Sequence, residues 1–187
     1  MLSKMSDYID IIIPRGGKSL VKKVLELSKV PTIGHLEGLC HVYLDNEYNY
    51  DTAEKLILNS KLRRTSICGA AETLLINKSV KKNDVYKILR KLNIKGCKII
   101  GDNKTKKIFE KTILAKENDW STEYLDSKIS VKIVNDLKEA IKHIKKYGTN
   151  HTECIISKNK NNIKTFEKNI SSSIVMTNAS TQFADGY

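Results

Sequence analysis

One cysteine offers the clearest chemistry in this 187-residue chain. Cys68 lies within the segment Arg64-Thr-Ser-Ile-Cys-Gly-Ala-Ala-Glu72, a short polar turn between a helix-like stretch and a strand-like stretch. A thiolate in such a turn can attack an activated carbonyl carbon and form a covalent acyl intermediate. This role requires a thiol pKa below the usual value of about 8.5, and Arg63 and Arg64 are candidate cationic neighbours. From the residues alone, a buried and unreactive cysteine is the competing interpretation.

The other cysteines and histidines do not form a metal-binding pattern. Cys40, Cys97 and Cys154 lie far apart, and the chain contains no Cys-x-x-Cys pair. His151 and Cys154 make one His-x-x-Cys pair, but no second pair has ligand spacing. We therefore expect reduced thiols and no metal. Cys40 and His41 are adjacent, and because neighbouring strand residues point to opposite faces, we do not expect them to act as a catalytic dyad.

The formal charge of +12 raises the question of a nucleic-acid partner. Nearly all of the positive charge is lysine, whereas bidentate recognition of bases and phosphates favours arginine. The lysines are also spread along the whole chain, and we interpret the densest run, Lys78 to Lys107, as a solvated helical face. We expect no nucleic-acid partner, although a basic binding protein remains an alternative.

The sequence contains no apolar segment long enough to span a membrane. No stretch approaches the ~20 apolar residues that span a bilayer. The first residues, Met1 to Asp7, do not resemble a secretory signal. We expect a cytoplasmic protein without a membrane partner.

Short apolar runs alternate with amphipathic stretches, which predicts an α/β fold with a largely parallel sheet. Strands are predicted at 9–13, 41–44, 72–76, 97–100, 131–134, 153–156 and 173–176. Helices are predicted at 19–28, 51–61, 83–92, 137–146 and 159–169, and residues 103–125 are predicted to be less regular. Asp51 is the predicted N-cap of the second helix, and Gly148 is the predicted stop of the fourth.

Several sequence blocks occur in the order known from one enzyme family. They are Ile12–Leu20, Gly34–Asp45, Asn59–Leu75, Thr122–Glu153 and Asn178–Gly186. Together they resemble glutamate-5-semialdehyde dehydrogenase, also called gamma-glutamyl phosphate reductase. This family of proline biosynthesis belongs to the aldehyde dehydrogenase superfamily. Because the matches are collinear over almost the whole chain, they are more specific than any single motif.

The resemblance implies a two-step reduction at Cys68, which aligns with the family's nucleophile. Its thiolate would attack the small-molecule substrate gamma-glutamyl phosphate, release phosphate and leave a thioester. Hydride from NADPH would then convert the thioester to glutamate 5-semialdehyde. The backbone N–H after the cysteine is a candidate donor to the developing oxyanion.

The resemblance also implies residues for binding. A segment that follows a predicted strand and opens a helix is a suitable place for a phosphate group, and by family position it would line the cofactor site. Its residues are Arg15, Gly16, Gly17 and Lys18. Arg64 and Asn178 are the residues expected to bind or support the substrate. Three further residues are predicted to have structural or surface roles: Glu37, His143 and His151.

The chain resembles only the C-terminal half of the family. We expect residues 1–33 to be the end of a cofactor-binding domain, 34–178 the catalytic domain and 179–187 a truncated return segment. With the cofactor-binding domain mostly missing, we expect this truncated chain to be inactive alone. A split enzyme, with a separate chain carrying the cofactor half, is an alternative. Self-association is also left open, because the missing domain would leave surface uncovered.

Three positions depart from the family pattern. Thr65 replaces a proline, Gly69 replaces an asparagine, and Gln182 replaces an arginine. The last change removes a charge that would help to hold an anionic substrate.

Overall fold

The computed structural model describes residues 5–185, with Asp185 described by its backbone only. The chain divides into two compact units, residues 1–37 and 38–187. Residues 186 and 187, the end of the predicted return segment, lie outside the described part. Among the described helices, none has the length and apolar character needed to cross a membrane.

The second unit is built on a seven-stranded sheet in which every described strand pair is parallel. Its strands are β1 Cys40–Leu44, β2 Ala71–Asn77, β3 Lys98–Gly101, β4 Ile113–Leu114, β5 Lys128–Val134, β6 Thr152–Ile156 and β7 Ile174–Thr177. They lie side by side in the order β4-β3-β5-β2-β1-β6-β7. The predicted α/β fold with a largely parallel sheet is confirmed.

Helices cover both faces of this sheet. They are α2 Tyr50–Leu62, α3 Lys82–Ile94, α4 Asn103–Ile108, α5 Leu137–Tyr147 and α6 Lys160–Asn169, whereas α1, Lys18–Leu27, belongs to the first unit. The helices α2, α3 and α4 pack their apolar residues on one face, and α5 and α6 pack on the other. Because both faces are covered, β1, β2 and β6 are buried along their whole length. Two short 3₁₀ helices, Glu117–Ser121 and Thr181–Asp185, complete the described structure.

Local sequence signals explain the start of α2 and the end of α5. The side chain of Asn49 caps α2 by accepting a hydrogen bond from the backbone N–H of Thr52 at 3.0 Å. The prediction that Asp51 is this cap was wrong, since Asp51 lies within the first turn. Gly148 ends α5 as predicted, and its N–H donates to the Ile144 carbonyl at 2.7 Å.

Residues 5–37, the described part of the first unit, contain α1 and little other regular structure. The helix was predicted at nearly these bounds, but the strand predicted at 9–13 is wrong. Only Ile12 pairs there, in a single bridge with Thr32, and Ile11 and Ile13 are 45% and 59% exposed. An apolar run becomes a buried strand only where neighbouring strands and a covering layer meet it, and the described residues of this unit provide neither.

Because the strands are parallel, all of them begin at one edge of the sheet and end at the opposite edge. We call the edge where the strands begin the amino edge, and the edge where they end the carboxyl edge. The register pairs Cys40 of β1 with Ala71 of β2, and His41 of β1 with Glu153 of β6. The loops that precede these three neighbouring strands therefore meet at the amino edge.

Candidate active site

Cys68 lies in the turn between α2 and β2, at the amino edge of the sheet. The turn is closed by a hydrogen bond from the N–H of Ala70 to the Ile67 carbonyl at 3.0 Å. The cysteine side chain is half-buried, so it is neither a core residue nor fully exposed. This position suits a thiol that must meet a substrate from one side and be held in place from the other.

Gly38 packs directly against the cysteine. A Cβ atom at this position would lie 2.4 Å from the Cys68 carbonyl oxygen and 2.8 Å from its Cα, so only glycine fits. The N–H of Gly38 donates to Glu123 Oε1 at 2.8 Å, and the N–H of Leu39 donates to Thr149 Oγ1 at 3.0 Å. The backbone before β1 is thus fixed against the cysteine turn.

Cys40 is a supporting thiol. Its Sγ donates a hydrogen bond to the Cys68 carbonyl oxygen at 3.0 Å. Burial, with a smaller contribution from the charge of Glu153, raises the pKa of the Cys40 thiol well above its ordinary value. The thiol therefore stays protonated and acts as a donor. The prediction that Cys40 and His41 do not form a dyad agrees with these contacts, since the His41 ring faces Glu153, with Nδ1 and Oε2 3.0 Å apart.

His151 brings an imidazole to the thiol. A ring nitrogen of His151 and the Sγ of Cys68 lie within 4.8 Å of each other. The Nδ1 atom lies 2.9 Å from Thr152 Oγ1 and 3.5 Å from Cys40 Sγ. Sequence reasoning gave His151 a structural role, because only the strand order β2-β1-β6 brings its loop beside Cys68. A thiol can be activated as a nucleophile by a neighbouring imidazole when the two come within hydrogen-bonding reach, about 2.6–3.2 Å.

A buried ion pair holds the two ends of the cysteine turn. Lys61 Nζ, on the last turn of α2, lies 2.7 Å from Glu72 Oε2 on β2, and both side chains are fully buried. The other carboxylate oxygen accepts the N–H of Leu125 at 3.2 Å. Burial raises the pKa of the Glu72 carboxyl to about 7, against the attraction of Lys61. Because Leu125 follows closely after Glu123, the same pair also anchors the loop that binds Gly38.

Gln182 closes the other side of the turn. Its Nε2 donates to the carbonyl oxygens of Asn59 at 3.0 Å, Ser60 at 2.9 Å and Arg64 at 3.2 Å. A Cβ at Gly69 would lie 3.2 Å from the backbone of this return segment. Gln182, which replaces the arginine of the family pattern, thus provides a neutral, buried amide that connects the end of α2 to the cysteine turn. Its side chain points to backbone carbonyls rather than to a substrate.

The two residues predicted to support the substrate lie at different edges. Arg64 is on the cysteine turn with an exposed side chain. Asn178 follows β7 at the carboxyl edge, where its amide accepts the Ser157 N–H at 3.0 Å and donates to the Ser157 carbonyl at 2.9 Å. A rise of about 3.3 Å per residue separates the edges by more than 10 Å along a five-residue strand. The structure therefore does not bring Asn178 to Cys68.

The predicted cofactor segment surrounds the start of α1 in the first unit. Gly17 is the N-cap residue, and a Cβ built on it would meet nothing within 4 Å. Gly16 has a φ of 150°, which a side chain rarely permits. Lys18 forms an ion pair with Glu37, which is partly exposed as predicted, and Arg15 is exposed.

No family model matches the chain, but comparison with known proteins finds relatives that match it along its whole length. Gamma-glutamyl phosphate reductase of Parvibaculum lavamentivorans is 47% identical over 186 residues, which cover 100% of this chain and 44% of that protein. The crystal structure of gamma-glutamyl phosphate reductase from Thermotoga maritima matches with a TM-score of 0.93 and 37% identity, over 97% of this chain and 44% of that one. This chain is homologous to the C-terminal part of the gamma-glutamyl phosphate reductases. It spans less than half the length of the curated relatives that it matches.

More distant structures share the fold. An acetylating aldehyde dehydrogenase from Geobacillus thermoglucosidasius matches with a TM-score of 0.72 at 21% identity, over 94% of this chain and 47% of that one. The prediction of an aldehyde-dehydrogenase-like fold is confirmed.

Proposed function

We propose that this chain carries the acyl-transfer half of the gamma-glutamyl phosphate reductase reaction, with Cys68 as the nucleophile. The observation that carries the proposal is the Cys68 thiol within 4.8 Å of a His151 ring nitrogen, in a turn packed on Gly38. The 47% identity to a gamma-glutamyl phosphate reductase supports the choice of substrate. Gamma-glutamyl phosphate is an acyl phosphate, whose good leaving group suits attack by a thiolate.

In the proposed step, His151 accepts the proton of the Cys68 thiol. The thiolate sulfur forms a bond to the acyl carbon, the bond from that carbon to the phosphate oxygen breaks, and phosphate leaves with the electron pair. The product on the enzyme is a thioester. The N–H of Gly69, next after the cysteine, donates to the oxyanion that develops during attack. The Cys40 hydrogen bond to the Cys68 carbonyl keeps the turn in one conformation.

NADPH is the cofactor we propose for the second step, in which it supplies the hydride that reduces the thioester. The start of α1 fits a phosphate-bearing group, because the open space beside Gly17 adjoins the first backbone N–H groups of the helix. Arg15, Gly16, Gly17 and Lys18 would contact it there.

The described part of the first unit holds one helix and a single β-bridge, without a sheet that could bind a dinucleotide. We therefore propose that these 187 residues alone transfer hydride at a negligible rate. The remaining cofactor contacts would come from further residues of the same polypeptide or from a separate chain, as in the split-enzyme alternative. A cytoplasmic location remains a prediction from the sequence.

The acyl-transfer proposal is tested with acetyl phosphate as a small acyl phosphate probe. Intact-mass spectrometry should show one acetyl group on the wild type that hydroxylamine removes at neutral pH, as expected for a thioester. Cys68→Ser should lack it, and Cys97→Ala, which removes a buried thiol elsewhere, should retain it. A folded wild-type sample without the labile acetyl group, or a Cys68→Ser sample with it, would contradict the proposal.

The hydride step is tested separately in reverse, with glutamate 5-semialdehyde, phosphate and NADP. We expect no NADPH from this chain alone. Formation of NADPH that is lost in Cys68→Ser would show that the 187 residues do hold the cofactor.

A further inference from the structure

A cleft of about 500 Å³ opens at the carboxyl edge of the sheet, opposite the edge that carries Cys68. Its walls are Asn77 at the end of β2, Ile133 near the end of β5, the loop after β2, the first turns of α3, and α4. Sites for small molecules in proteins typically occupy about 300–1,000 Å³. The cleft is therefore large enough for a small organic ligand.

The position of the cleft is one that parallel sheets commonly use for ligands. β2 and β5 are neighbours, and the chain leaves them in opposite directions. After β2 it enters α3 on one face, and after β5 it enters α5 on the other face. Crevices form outside the carboxyl ends of strands whose connections diverge in this way.

The floor of the cleft is apolar. It is formed by Val80, Val85, Ile108 and Ile133. Tyr86, in the second turn of α3, also lines the cleft and is 42% exposed, so its ring can stack on a flat ligand group. The exposed amide of Asn83 adds a hydrogen-bonding group beside it.

The rim is cationic. Four exposed lysines line it: Lys78, Lys82, Lys104 and Lys107. These residues belong to the lysine-rich run that the sequence suggested to be a solvated helical face. In the folded chain they come from two helices and a loop and meet around one opening.

None of the described residues that line the cleft is acidic. Three acidic residues lie within two positions of the lining in sequence, and of these Glu110 is exposed, while Asp84 and Asp102 are hydrogen-bonded elsewhere. Asp84 accepts a hydrogen bond from the Tyr48 hydroxyl at 2.6 Å. Asp102 caps α4 by accepting the Thr105 N–H at 2.7 Å. The charge of Glu139 interacts with that of Lys104 from outside the cleft, but the described wall itself carries four lysines and no carboxylate, which favours an anionic occupant.

We propose that this cleft binds a nucleotide, an organic anion that joins an aromatic ring to phosphate groups. The phosphates would lie among the rim lysines, and the ring would lie on the apolar floor against Tyr86. This site is separate from Cys68, so it does not depend on the function proposed above.

The test is isothermal titration calorimetry of the 187-residue chain with ADP, adenosine and pyrophosphate. We expect ADP to bind at least tenfold more tightly than either of its halves. The double variant Lys82→Gln/Lys104→Gln should weaken ADP binding about tenfold, and Tyr86→Ala should weaken it severalfold. The matched control Lys145→Gln/Lys168→Gln removes the same charge from exposed positions on α5 and α6, outside the cleft, and should leave binding unchanged.

Several results would overturn the proposal. They are no ADP binding by the folded chain, equal binding of ADP and pyrophosphate, and equal loss of binding in the control pair. Loss in Lys18→Gln instead of the cleft variants would assign the nucleotide to the predicted cofactor segment. Displacement of ADP by a thymidine oligonucleotide that binds more tightly would make the rim a nucleic-acid surface.

The variant Cys68→Ser tests whether the two sites are independent. We expect it to retain ADP binding, so that the nucleotide proposal and the acyl-transfer proposal are tested separately.

Discussion

The two edges of the sheet are built in different ways. At the amino edge, Cys68 is held by a glycine contact that excludes any side chain, by a fully buried ion pair and by the buried amide of Gln182. At the carboxyl edge, exposed lysines surround an open cleft, and no described lysine of the rim is buried. A covalent step needs a reacting atom in one fixed place, whereas attraction of an anion tolerates long, mobile side chains. Substitutions should therefore have large effects at the first edge and small effects on stability at the second.

The largest effect on stability is expected from Lys61→Met. The substitution leaves the Glu72 carboxyl buried without its cation, which should cost about 3–5 kcal/mol of unfolding free energy. Chemical denaturation measures this value. Lys146→Met is the matched control, because Lys146 pairs with Glu117 at 2.9 Å and both side chains are exposed, and it should cost far less.

A double variant sharpens this test. In Lys61→Met/Glu72→Gln the buried charge is gone, while the amide oxygen can still accept the Leu125 N–H. This variant should be more stable than Lys61→Met alone. Equal costs for Lys61→Met and Lys146→Met would show that the buried pair does not distinguish the amino edge.

Gly38→Ala should disturb the cysteine turn itself. The added methyl group would overlap the Cys68 backbone, with an expected cost of about 1–3 kcal/mol and at least tenfold slower acylation by acetyl phosphate. Denaturation and the mass-spectrometric time course measure the two effects. Gly17→Ala, where a methyl group meets nothing within 4 Å, should change stability by less than about 1 kcal/mol, because the poorer N-cap and the stiffer unfolded chain have opposite effects. An unaffected acylation rate in Gly38→Ala would remove the positioning role of this contact.

The buried histidine near the amino edge should make this part of the molecule sensitive to acid. Burial, followed by the charge of His41, lowers the pKa of His143 to about 3. The unfolded chain takes up this proton below about pH 6.5, whereas the folded chain takes it up only near pH 3. As the pH is lowered through this window, the unfolding free energy therefore decreases by about 1.4 kcal/mol per pH unit. His143→Phe removes this proton uptake. The unfolding free energy of the wild type relative to His143→Phe should therefore fall as the pH is lowered from about 6.5 towards 3, and parallel pH curves would contradict the assignment.

The smallest effect is expected at the rim of the cleft. Lys82→Gln/Lys104→Gln removes two exposed side chains that contribute no packing, and the unfolding free energy should change by less than about 0.5 kcal/mol. The same variant should bind ADP about tenfold more weakly, so function and stability separate at this edge. A large loss of stability would mean that the rim is part of the folded framework.

The sequence predicts the parts of this architecture that depend on local signals. The apolar run at 72–76 and the amphipathic pattern at 137–146 predict β2 and α5 to within a few residues, because neighbouring residues determine them. The polar turn around Cys68 is predictable for the same reason. The run at 9–13 has the composition of a strand, but whether it forms one depends on pairing partners. Local composition contains no information about those partners.

The contacts that build the site depend on strand order. His151 reaches Cys68 because β6 lies beside β1 and β1 beside β2, although the two residues are far apart in sequence. Lys61 and Glu72 are closer in sequence, but a lysine at a helix end is usually exposed, and its burial requires the layer above it. Asn178 was predicted to support the substrate, and its position after β7 places it at the opposite edge. A single sequence contains no signal that orders the strands in this way.

The most direct test of the acyl-transfer site is the rate at which acetyl phosphate forms a labile thioester on the folded chain, measured across pH for wild type, Cys68→Ser and His151→Ala. We predict a thioester on wild type, none on Cys68→Ser, and a rate about 10²- to 10⁴-fold lower for His151→Ala near neutral pH that recovers as the pH rises. The recovery distinguishes loss of a base from loss of folding. A thioester that forms equally fast in His151→Ala would remove the histidine from the mechanism, and one that persists in Cys68→Ser would remove the cysteine.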